Sequence, residues 1–294
     1  MLFPDRNFTP RLGQGDLPDL SSYAELVARD FRTALELWDS RMPVAYNDLL
    51  TAAVIGERDR LYDALDAGDW RFLLNTQRYR NGATSEVIGD QKWWDLRDDF
   101  TDSLYPDVNR IADALFSREI TLHAWTRQMA KLIQSAHLAL YMFGAGGYNA
   151  ITETDRVSLS TALRQQYSFL SDFANDILRS NRVDVRQLHN SRPITQRGLV
   201  NRGVMYIESA TSSAERGRAT TYGYHPDRLP NYPADGTMEC LVRCRCHWRF
   251  RFTRGQDSFY HAYWRLRGNR PDGKNCATCL RYAQLYNPYT VERF

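Results

Sequence analysis

The sequence predicts a mainly α-helical protein that ends in a small α+β module, and three observations carry that expectation. Between residues 21 and 217 apolar side chains recur at helical spacing. After residue 236 the pattern changes to short runs in which aromatic and basic residues alternate, as in strands. All five cysteines of the 294-residue chain fall in that last part, as Cys240-x3-Cys244-x-Cys246 and Cys276-x2-Cys279. The expected division is an extended arm over 1–20, a helical body over 21–220 and a cysteine-rich module over 221–294.

Residues 1–20 are rich in Pro and Gly and read as the arm. Tyr23, Leu26, Val27, Phe31, Leu35 and Trp38 make one helical stripe, so Ser21 to Ser40 is expected as a single helix. Pro43 interrupts, and Val44 to Leu65 reads as a second helix that stops near Gly68. Residues 69–108 are mixed and aromatic, with Trp70, Trp93 and Trp94; Tyr79 to Ile88 is compatible with irregular chain or short strands. Glu119 to Phe143 carries Leu122, Trp125, Met129, Leu132, Ile133, Ala136 and Leu140 on one face, and Gly144-Ala145-Gly146-Gly147 ends it. Thr154 is the expected cap of the next helix, with Leu159, Leu163, Tyr167, Leu170, Phe173 and Ile177 as its stripe; the short link predicts an antiparallel pair. His123 and His137 lie on the first of these helices and receive no chemical role. Arg192 to Gly217 is expected as one more helix, whose Arg197, Arg202, Arg216 and Arg218 read as a basic stripe or as a solvated face.

The loop Tyr222 to Gly236 leads into the cysteines. Cys246 to Phe252 alternates, Arg254 to Asp257 is a turn, Ser258 to Leu266 is a second strand, and Cys276 opens a short helix. A knuckle, a hairpin and a helix whose first turn supplies two thiols follow the order of a treble-clef-like zinc module. Tetrahedral zinc needs four ligands, and the candidates are Cys240, Cys244, Cys246, Cys276 and Cys279, four of the five. The x2 spacing puts Cys276 and Cys279 on one turn; Cys240 with Cys244 has knuckle spacing, and Cys244 and Cys246 share a strand face. Disulfides and unliganded buried thiols are the other readings. Disulfides belong to oxidising compartments, and an odd count leaves one thiol over. Four thiolates would close the coordination sphere and make the metal structural.

Charge divides the chain. Residues 1–180 sum to −7 and residues 181–294 to +10, nearly all of the positive excess being arginine. Arginine suits bidentate phosphate contact and stacking, so Arg243, Arg245, Arg249, Arg251 and Arg254 are the candidate nucleic-acid contacts; an acidic partner, or the acidic half itself, is the alternative. No apolar run approaches the ~20 residues of a membrane span, and the first residues lack the plan of a signal peptide. No GxxxxGK[ST], GxSxG or HExxH motif occurs. A zinc-stapled nuclease remains the rival reading, with His247, His261 and Asp257 near the metal.

Three stretches carry a resemblance. Trp125-x3-Met129-x3-Ile133 runs through His137, Tyr141, Gly144 and Gly146-Gly147 to Gln165-Gln166-Tyr167 and Phe173-Ala174. Tyr206 to Ala219 contains Ser212-Ser213-Ala214-Glu215-Arg216-Gly217-Arg218-Ala219. Leu229 to Trp248 contains Pro230-x2-Pro233-x2-Gly236 and Cys244-Arg245-Cys246-x-Trp248, and continues through Trp264-Arg265-Leu266, Cys276-x2-Cys279 and Asn287-Pro288. Together, over residues 119–290, they resemble bacteriophage minor head (head morphogenesis) proteins of the broad Mu F-like group. The resemblance implies a non-enzymatic virion component, present in multiple copies in the head after assembly in the host cytoplasm. It implies portal protein or major capsid protein as partners, with no membrane, and a role in head assembly and in genome packaging or ejection. No enzyme or toxin extension is expected after Asn287-Pro288. Packaged DNA would be a further partner of the arginine-rich half, and a DNA-binding protein outside the virion is the remaining alternative.

Overall fold

The computed structural model describes residues 17–38, 79–80, 87–88, 90–145, 148, 151–182, 195–221, 224–239, 241–251, 259–267 and 275–292. Most of the expected arm, the helix expected over Val44 to Leu65, Cys240 and Arg254 lie outside them.

The first expected helix is two, α1 (Ser21–Arg29) and α2 (Phe31–Trp38). Asp30 leaves the helical region at φ −144°, and its carboxylate accepts from the N–H and Oγ1 of Thr33 at 3.1 and 2.7 Å. A cap inside an unbroken apolar stripe thus turns the chain. Tyr79–Arg80 (β1) and Val87–Ile88 (β2) pair antiparallel.

The mixed, aromatic stretch that follows is helical: α3 (Asp90–Ser103) and α4 (Tyr105–Phe116). The buried i, i+4 row of α3 is Trp93, Arg97 and Thr101, which explains the missing apolar period. Helices α5 (Leu122–Ala145) and α6 (Glu153–Arg182) are the expected pair. They run antiparallel, because Tyr141 meets Asp155, Tyr167 meets Gln134, and Phe173 meets Trp125. Helix α6 begins two residues earlier than Thr154 as its cap would allow. Thr152 caps it: Asp155 N–H donates to Thr152 Oγ1 (3.2 Å), and the Asp155 carboxylate accepts from Thr152 N–H (2.8 Å), a reciprocal capping box.

The helix expected over 192–217 is also two, α7 (Gln196–Glu208) and α8 (Thr211–Thr221). At the join, the hydroxyls of Ser209, Thr211 and Ser212 each donate to the carbonyl three residues back, at 2.6, 2.8 and 2.6 Å. Local side-chain bonding of this kind competes with the helical ladder. Helix α8 then lies directly on α5. A Cβ at Gly144 would stand 2.0 Å from Ala214 O, and one at Gly217 would stand 2.3 Å from Tyr141 O. Only residues without a side chain allow this approach. Two arginines of α8 point inward rather than forming a solvated stripe: Arg216 lies 4.3 Å from the Tyr232 ring centroid, and Arg218 lies 5.0 and 5.2 Å from those of Trp93 and Trp94.

The C-terminal part is a three-stranded antiparallel sheet, β3 (His247–Arg251), β4 (Phe259–Arg265) and β5 (Tyr289–Glu292), in the order β3-β4-β5, with α9 (Ala277–Leu285) between the last two in sequence. The hairpin matches the sequence reading, whereas β5 was not anticipated. Trp248 pairs Trp264 across it, and their rings meet edge to face at 5.2 Å. The buried hydrophobic residues form two clusters, one from Leu20 to Ala214 and one from Ala219 to Cys279. Among the described residues no helix is long and apolar enough to cross a membrane.

Candidate metal centre

The cysteines are positioned by three short elements. Leu241–Arg243 forms a 3-10 turn, entered through Leu241 at φ 51°, a left-handed conformation uncommon for a branched side chain. Cys244 and Cys246 follow at the mouth of β3. Cys276 caps α9 from an extended conformation, with its sulfur accepting from the Cys279 N–H at 3.4 Å. Glu239 reinforces this start: its carboxylate accepts from Ala277 N–H at 2.9 Å.

The fold brings the sulfurs of Cys244, Cys246 and Cys279 within 4.8 Å of one another, with Cys244 to Cys279 at 3.5 Å. Tetrahedral zinc at ~2.3 Å per thiolate spaces its sulfurs about 3.8 Å apart, so this spacing fits a metal ion. Cys276 is buried one turn away from that group, and all four described cysteines are buried and outside any disulfide. The Met238 sulfur is in contact as well, 3.9 Å from Cys244 and 3.7 Å from Cys279. The group can hold a metal ion, and its donors are all sulfur.

Neither histidine of the hairpin joins it. His247 lies with its ring against Trp94, centroids 3.3 Å apart. Burial, helped by Arg218, Arg97, Arg267 and Arg265, lowers its pKa to about 2. His261 meets Thr290 Oγ1 at 3.3 Å. Among the described residues, Cys244, Cys246 and Cys279 are the only group of His, Cys, Asp or Glu with metal-ligand spacing. Asp257 lies outside the described residues.

The candidate arginines separate by environment. Arg245 reaches Asp98 and Asp102 on α3, at 3.1 Å each; with its charge so engaged, it faces the helical body rather than solvent. Arg243 is mostly exposed, 3.5 Å from Glu208. Arg249 is exposed. Arg251 occupies the β3 position opposite His261.

The sequence reading missed the residues that receive Arg245. Arg267 joins it, pairing with Asp98 at 3.0 Å and with Asp95. Asp95, Asp98 and Asp102, spaced by three and four, share a face of α3, a signal legible only once this segment is read as a helix. Beneath them Arg97 pairs with Glu215 at 2.6 Å, both side chains fully buried, and Glu215 accepts from the Trp248 N–H at 3.4 Å. Burial alone would raise the Asp98 pKa, but Arg97, Arg245 and Arg267 outweigh it and hold the carboxyl below its ordinary range. For Glu215 burial wins over Arg97 and Arg218, and the pKa is raised. On α5, His137 is enclosed between Ser213 Oγ at 2.7 Å and Ser209 Oγ at 3.1 Å. Burial, with Arg216 nearby, lowers its pKa to about 3, the mark of a neutral packed imidazole.

Comparison of the chain with protein-family models, with curated proteins and with solved structures finds no match.

Proposed function

We propose that this protein is a structural component of a bacteriophage head, a minor head protein that binds portal or major capsid protein, with a structural zinc ion in a treble-clef-like C-terminal module. The observation that carries the reading is the Cys244-Arg245-Cys246 element. It is the most specific part of the sequence resemblance, and in the fold it directs two buried thiols to one side and an arginine to the helical body on the other. Cys244, Cys246 and Cys279 supply three of the ligands, being buried with their sulfurs grouped, and the fourth is Cys276 or Cys240. Four thiolates leave no open position for a reacting water, so the metal contributes to folding instead of turnover. His247 packed against Trp94 counts against a histidine–metal nuclease.

Two measurements test this. Native mass spectrometry of protein purified without a metal-binding tag should find one zinc per chain. Purified heads from the phage carrying this sequence should contain the chain in several copies, retained with portal or capsid protein when particles are disrupted. Its absence from heads would refute the virion role, whatever the metal result.

The exposed Arg249 on the hairpin supports a second contact, with packaged DNA. Duplex binding that weakens steeply as salt rises is the expected signature; no binding at low salt would remove it.

A further inference from the structure

The geometry points to a metal-dependent latch, in which ligation at Cys244 and Cys246 holds Arg245 on the acidic face of α3 and so keeps the C-terminal module seated on the helical body. The inference rests on the zinc reading above and adds what the ion controls.

Arg245 stands between two candidate ligands. In extended chain, successive side chains point to opposite sides, so fixing both neighbours to one ion also fixes the direction of the residue between them. Its guanidinium then spans Asp98 and Asp102 at 3.1 Å each. An arginine keeps its charge across the accessible pH range. Without a metal, the segment is held at this point by thiol contacts such as Cys244 to Cys279 at 3.5 Å, which are weak hydrogen bonds. Arg267 approaches the same row from the far end of β4, at Asp98 (3.0 Å) and Asp95, and His247 covers Trp94 beside it. The module's contacts with α3 thus converge on one stripe. Elsewhere α3 is held by Trp93, stacked on Phe143 of α5, 5.0 Å apart and 6° from parallel, and by the buried Arg97–Glu215 pair. The stripe is where a metal-dependent loss would be read.

The test is hydrogen exchange by mass spectrometry on the full chain, in three states: zinc-loaded, zinc removed by chelator, and zinc-loaded Arg245→Met. Both removal of zinc and R245M should speed exchange in α3 over 94–103 by about tenfold or more, the scale of losing charge-assisted hydrogen bonds. Helices α5 and α6 should keep their protection, and R245M should retain one zinc. Asp98→Asn with Asp102→Asn should reproduce R245M from the other side, which guards against a folding defect peculiar to one variant. Unchanged α3 protection after zinc removal or in R245M, or loss only together with α5 and α6, overturns the latch while leaving the zinc staple standing. A chain that carries no metal as purified refutes the zinc reading itself, and the latch with it.

Discussion

The helical body encloses Trp93, Trp125, Leu115, Leu122 and Tyr141 in an extended apolar core drawn from every described helix through α8. The C-terminal module has a smaller cluster, built on Trp248, Trp264 and a surround of tyrosines, with four cysteines among its buried residues. A segment of about 70 residues rarely stabilises itself by apolar burial alone. The difference teaches where each region is vulnerable. The body depends on steric fit between helices, and the module depends on its thiols and on the ionic contacts that seat it.

The strongest way to break the comparison is to test the proposed metal. On the zinc reading proposed above, structural zinc contributes on the order of 10 kcal/mol in small modules, so chelation, or Cys279→Ser, should abolish the near-ultraviolet dichroism of Trp248 and Trp264. Far-ultraviolet helicity should persist; a body that melts along with the module would erase the distinction. Next in size is the buried Arg97–Glu215 pair. Arg97→Met strands a carboxylate in the interior and should cost about 3–5 kcal/mol in denaturant unfolding. Replacing both partners, Arg97→Met with Glu215→Leu, should recover most of that loss. If both changes together are as harmful as one, the pair has a role beyond mutual neutralisation.

The body has its own acid sensitivity. The folded-state pKa of His137, about 3, lies below its ordinary 6.5, so the unfolded chain binds more protons between those values. Stability contributed by the neutral ring is present above about pH 6.5 and lost as pH falls toward 3, a drift on the order of a few kcal/mol. The groups facing it are Ser209, Ser213 and Arg216; His137→Gln should flatten that part of the stability–pH curve. Steric fit is tested at the α5–α8 crossing. Gly217→Ala directs a methyl at the Tyr141 carbonyl and should cost about 3 kcal/mol, the upper end of ordinary overpacking, without changing zinc content. The smallest effect expected is at the α1–α2 turn, where Asp30→Ala removes the Thr33 cap and should cost ~1 kcal/mol, read as a lower thermal midpoint.

How legible these features were in the sequence follows from which forces shape them. Helices α5 and α6 show plainly because their buried faces are apolar at every turn. Helix α3 stayed hidden because its buried row contains Arg97 and Thr101; polar residues acceptable inside only with partners erase the hydrophobic period. The two over-long helices failed at Asp30 and at Ser209 to Ser212, where short polar side chains bond to nearby backbone while the apolar stripe continues across the break. Clustering and spacing identified the thiols, and among the described ones the fold brings Cys244, Cys246 and Cys279 together.

By itself, then, the sequence determined the helical body, the hairpin, and a concentration of thiols suited to a metal, because local periodicity and close spacing express short-range geometry. Only the tertiary structure decided which charges are spent within the molecule and which remain outward. Arg97 and Glu215 are 118 positions apart, and Arg245 and Asp102 are 143 apart. No local pattern links such residues. They meet because burying the α3 tryptophans and the β3 edge together brings two segments distant in sequence onto one face, where unpaired charge would be too costly to leave.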